Sequence, residues 1–106
     1  MFTPRERQSL YQVMCAVRQI GKHHLEQKLQ HIHEVMSITG ITPTDVAQSR
    51  SLTEPQMISI LKQMSDTKKL YFAKFISMTA LIGGCTENES KFSNWIISEI
   101  EVPTDF

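Results

Sequence analysis

Four histidines, His23, His24, His31 and His33, fall within eleven residues and are all the histidines of the chain. On a helix His24, Lys28 and His31 share a face at i, i+4 and i+7. Two imidazoles with a nearby carboxylate, Glu26 or Glu34, could hold zinc there. His31 and His33 stand roughly 200° apart around a helix, so they point to different faces. A polar, partly titrating surface is the simpler account of the cluster. A second candidate is the turn Gly83-Gly84-Cys85-Thr86 followed by Glu87, Asn88 and Glu89. Its carboxylates and backbone carbonyls could take a hard cation, although acids there also complement a helix N-terminus. The metal-ligand candidates are therefore His24, His31, Glu87 and Glu89, with no metal expected.

Cys85 lies at the start of a helix and reads either as a reactive thiol or as a small apolar filler. Cys15, among Val13, Met14, Ala16 and Val17, reads as core. Gly83 and Gly84 lack the Lys-Ser/Thr that completes a phosphate-binding loop. No Ser-His-Asp or Cys-His order and no carboxylate pair suggests hydrolysis. The sequence predicts no catalytic residue, no enzyme activity and no cofactor.

The elements that would position these residues are helices. Thr3-Pro4-Arg5-Glu6 is a capping box with proline at the first helical position. Leu10, Val13, Met14, Val17 and Ile20 then recur at helical spacing, and Gly21 ends the run. A second helix places Leu25, Leu29, Ile32, Val35 and Met36 on one side, and Gly40 suits its left-handed C-terminal cap. Thr42-Pro43-Thr44-Asp45 starts a short helix through Ala47, and 48–52 reads as a loop. Thr53-Glu54-Pro55-Gln56 opens a helix burying Met57, Ile58, Leu61 and Met64. Asp66 is the expected N-cap of a helix from Thr67 or Lys68 to Ile82. Thr86 to Glu89 opens the last helix, which should carry Phe92, Trp95, Ile96 and Ile100 inward until Pro103. No segment alternates strictly, so the class is all-α, a bundle of five to six helices. The 70–82 helix is apolar nearly all round and should be surrounded by the others.

Bulk properties narrow the classes further. The chain has 106 residues, near the commonest size of one domain. Eleven basic and eleven acidic residues balance, which removes the positive field that nucleic-acid binding needs. Two cysteines without CxxC spacing fit a reducing compartment. The first ten residues are polar and charged, unlike a signal peptide. The longest uncharged run, 75–86, falls short of the roughly 20 residues that span a bilayer. A cytoplasmic protein with no direct membrane insertion is expected.

The halves 10–46 and 70–106 echo each other. Leu10-Tyr11 recurs as Leu70-Tyr71, and Pro43-Thr44-Asp45-Val46 as Pro103-Thr104-Asp105-Phe106, both at an offset of 60. Ile32 then falls opposite Phe92, Val35 opposite Trp95 and Met36 opposite Ile96. The pattern predicts two helix-turn-helix hairpins joined by a spacer helix at Met57–Met64.

From Leu10 to Pro103 this arrangement resembles the tellurite-resistance TerB-like family, which includes the N-terminal domain of a membrane-anchored DnaJ-type co-chaperone. The turn Leu81-Ile82-Gly83-Gly84-Cys85-Thr86-Glu87-Asn88-Glu89 carries most of the likeness, and Ile20-Gly21-Lys22-His23-His24-Leu25-Glu26 is its looser counterpart. The aspartate that the family has before the turn glycine is Ile20 in the first turn and Gly83 in the second, and the family's acidic clusters are missing. The resemblance implies the fold and a non-enzymatic interaction module linked to a stress response. Its partner would be an unidentified protein or a second copy of the chain. If Tyr71, Phe72, Trp95 or Phe106 remain exposed, they mark the partner surface. The competing expectation is a divalent-metal protein using the His23–His33 cluster or the Gly83–Glu89 turn.

Overall fold

A computed structural model describes residues 1–104. They form six helices: α1 Pro4–Gly21, α2 Leu25–Thr39, α3 Pro43–Ser49, α4 Glu54–Lys62, α5 Asp66–Leu81 and α6 Glu87–Glu99. No strand occurs among the described residues. Four helices begin with the same local device. Thr3, Thr42, Thr53 and Thr86 accept from the backbone N–H three residues on, and Glu6, Asp45, Gln56 and Glu89 return the bond to the cap. Each box satisfies N–H groups that a helix start otherwise leaves orphaned.

Boundaries differ from expectation at three helices: α4 stops at Lys62, short of Met64, and α5 at Leu81, one short of Ile82. Ser65, not Asp66, caps α5, accepting from the Lys68 N–H, and Asp66 sits in the first turn. α3 runs on to Ser49 because Gln8 and Gln12 of α1 bond to Gln48 and to the Ser49 carbonyl. The α2 start has no side-chain cap. There Lys22 and His24 adopt left-handed φ of 54° and 48°.

Short turns fold α2 against α1 and α6 against α5. The helix ends keep the offset of 60: Gly21 against Leu81, and Thr39 against Glu99. Gly40 (φ 78°) and Glu101 (φ 58°) close α2 and α6 in the same left-handed way. In each case the following N–H reaches back to a carbonyl five residues earlier, Ile41 to Met36 and Val102 to Ile97.

The expected centre is corrected. α1, not α5, touches all five other helices. Leu10, Met14 and Val17 of α1 are fully buried with Ile32, Leu61, Phe72, Ile76 and Ile96. α5 buries only the side bearing Phe72, Phe75, Ile76 and Ala80. Its apolar composition all round did not mean cover all round. α2 is likewise rotated from expectation: Lys28, Ile32 and Val35 face inward, while Leu25 and Leu29 reach solvent. The radius of gyration, 12.7 Å, is that of a single packed unit of this length.

Candidate functional site

The two interhelical turns meet. Glu89 is the third residue of α6, and its capping role aims its side chain inward. Oε1 accepts from the Thr86 N–H and hydroxyl, each at 3.1 Å. His23 of the α1–α2 turn donates to the same oxygen from Nε2 at 2.8 Å. Because a carboxylate only accepts, Nε2 carries the proton. Lys28 of α2 donates from Nζ to Oε2. Lys28 and Glu89 are both fully buried, and His23 closes the group toward solvent.

Glycines allow this approach. A methyl on Gly21 would stand 2.5 Å from Glu89 Cδ. Gly83, at φ 73°, lies directly against the His24 ring, where any side chain would collide. Burial alone would raise the Glu89 pKa, but the bonds from Lys28, His23 and Thr86 outweigh it and hold the carboxyl at about 2. Such a carboxylate stays ionised and is no general base near neutrality. Lys28 has no exposed surface to offer a substrate. The group is a clasp between α2, α6 and the first turn.

The metal candidates are not brought together. Glu89 is already neutralised by an internal ammonium, so it is corrected from a candidate ligand to a structural ion pair. Glu87 is exposed and meets Lys91 at 3.1 Å. His24 is exposed and packs edge-on to His23, 5.1 Å away. His31 lies elsewhere on α2, its Nε2 buried without a hydrogen-bond partner. Among the described residues no three His, Cys, Asp or Glu side chains are grouped to hold an ion. Both cysteines are free; Cys85 is exposed, while Cys15 is part-buried, and that burial pushes its thiol up.

The partner-surface candidates separate. Tyr71 is 45% exposed and Trp95 is 38% exposed. Trp95 therefore turns outward rather than into the core, lying against Phe92 at 6.0 Å between ring centroids. Phe72 is fully buried and is removed from the surface. Phe106 lies outside the described residues. Beside Tyr71 stand residues that sequence reasoning placed in the core: Leu70 at 36%, Met78 at 44% and Leu81 at 63%. With Lys74 they form one stripe along the outer face of α5, at i, i+1, i+4, i+8 and i+11. A shallow cleft at Thr67, Leu70, Tyr71 and Lys74 marks its start, and another beside Ser77, Leu81, Cys85 and Asn94 its end.

The sequence reading placed Lys28 only on the face of His24 and His31 and missed its burial. Its spacing to Ile32 and Val35, i, i+4 and i+7, was a visible signal that it faces inward. Compared with family models, curated proteins and solved structures, the chain gives no match.

Proposed function

We propose that this chain is a non-enzymatic helical interaction module that docks a protein partner on the outer face of α5. The observation that carries this reading is the stripe of Leu70, Tyr71, Met78 and Leu81, four large apolar side chains exposed along one helix. Single exposed leucines are ordinary, but aligned ones mark contact surfaces. The clasp serves this reading by fixing the α5–α6 hairpin against the first one, so the stripe is presented on a rigid element. The resemblance to TerB-like domains is in keeping with a cytoplasmic, stress-related binding role. No helix among the described residues is long and apolar enough to cross a membrane.

The test uses the whole chain as bait in extracts of its native host, beside a Met78→Lys/Leu81→Lys variant. Both substitutions fall at exposed positions, so the variant should melt at the wild-type temperature. A protein retained by the wild type and lost from the variant supports the reading. Identical retention by both sinks it.

A further inference from the structure

Two clefts meet at one cation near the start of α1. The first, of about 420 Å³, is mainly apolar: Leu52, Pro55 and Ile60 stand there beside Arg5. The second, of about 360 Å³, is more polar, and Arg5, Gln8 and Gln48 line it. Arg5 and Gln8 lie at i and i+3 on α1, so they are neighbours on one face. Among the described residues no carboxylate lines either cleft, so Arg5 sets their charge. Gln8 supplies an unused acceptor. It is 2% exposed. Its Nε2 donates to Gln48 Oε1 at 2.8 Å and helps hold the Asp45 carboxyl below its ordinary range. Turning the amide over would press its oxygen against these two acceptors. Oε1 is therefore the atom left over, buried and without a hydrogen-bond partner. Folded proteins leave few such acceptors unpaired, and this one belongs to a residue that lines a cleft.

We infer that these paired clefts bind a small monocarboxylic acid with an apolar body and a neutral N–H or O–H donor beside the acid group. The carboxylate pairs with the Arg5 guanidinium, whose forked donors match it. The neighbouring donor meets Gln8 Oε1. The apolar body lies on Leu52, Pro55 and Ile60. An apolar wall with a few converging polar groups is the usual form of a small-ligand pocket. The donor is neutral, because an ammonium brought to Gln8 would find no carboxylate lining the cleft to balance it. A metal ion fits worse for the same reason. A phosphate also fits worse: Arg5 is the single lining cation, and Pro4 removes an N–H from this helix start. N-acylated apolar amino acids and apolar α-hydroxy acids both carry the required groups.

The test titrates N-acetyl-leucine, leucic acid, isocaproate and N-acetyl-leucinamide into the full chain and follows amide-correlation NMR spectra. N-acetyl-leucine or leucic acid, which keep both the acid and the donor, should shift the resonances of Arg5, Gln8, Leu52 and Ile60 to saturation. Isocaproate lacks the donor and N-acetyl-leucinamide lacks the acid, so each should bind at least about fivefold more weakly. Arg5→Gln, at an exposed position, should melt near the wild-type temperature and lose at least about fivefold in affinity for the acid that binds. Gln8→Met, with its fold checked by melting, should erase the preference for leucic acid over isocaproate. The probe series and Arg5→Gln decide the matter even if Gln8→Met does not fold. No saturable shift, shifts that map elsewhere, or equal affinity of the wild type for leucic acid and isocaproate overturns the inference. Undiminished binding to Arg5→Gln overturns it too. The docking role of α5 stands or falls separately, because that face shares no lining residue with these clefts.

Discussion

Lys28 is the side chain whose removal the molecule should tolerate least. Lys28→Met would leave Glu89 with its Oε2 unpaired in a site closed to water. Breaking a buried pair in this way costs about 3–5 kcal/mol, measurable by urea unfolding at neutral pH. Replacing both partners by methionine should recover much of that loss, because no charge is then stranded. The pH dependence has a definite sign. Glu89 titrates near 4.5 when unfolded and at about 2 when folded. Its contribution is therefore complete above the unfolded value and is lost as pH falls from about 4.5 toward 2, up to about 3 kcal/mol. Asp45 and Glu6 are also held below their ordinary values, against burial, by Arg7 and Lys68 respectively, and they act in the same direction. In urea titrations between pH 7 and 3, Glu89→Gln should flatten the stability curve; an equally steep loss in that variant would clear Glu89 of responsibility. The inward position of Lys28 was legible from its spacing to Ile32 and Val35. Its partner was not, because Glu89 lies 61 residues away and reads locally as a complement to its own helix terminus.

At the level of helices, the starts were the most legible features, since a capping box is written within four residues. Thr3, Thr42, Thr53 and Thr86 all behave as their local sequence says. Ser65 in place of Asp66 shows the limit, because both residue types cap and only the backbone decides. Which face of a helix is covered was less legible. α5 offers apolar residues on every side, so the pattern could not say that Leu70, Met78 and Leu81 would stay in solvent. That depends on neighbours distant in sequence, as does the outward turn of Trp95. The end of α1 gives a sign-inverted prediction. Alanine inside a helix is normally better than glycine by about 1 kcal/mol, yet Gly21→Ala should destabilise by about 1–3 kcal/mol because the new methyl meets the Glu89 carboxylate. Calorimetric melting of the single variant decides this, and a raised melting temperature would show that the carboxylate does not press on that position.

For the whole molecule, the repeat accounts for helix ends, while the left-handed closures at Gly40 and Glu101 stand one residue out of its register, and its two copies have different surroundings. Leu10 is fully buried while Leu70, its counterpart, is exposed, so duplication of pattern left one copy at the hub and the other at the surface. Three of the long-range ion pairs share a design. Glu6, Asp45 and Glu89 each cap their own helix and, with the same carboxyl group, bind a cation of another segment: Lys68, Arg7 and Lys28. Gln56, the equivalent residue of α4, caps its helix at Thr53 without a charge to offer. The first turns of α1, α3 and α6 therefore cannot fray without parting helices, which couples a local event to the global one. In native-state hydrogen exchange their first-turn amides should open only with the core, whereas those of α4 should open at far lower free energy. If the α1 and α6 turns exchange as readily as α4, the coupling is absent. With it, the slow breathing of this protein is confined largely to one short helix on the side of the hub, and the outer face of α5 keeps still.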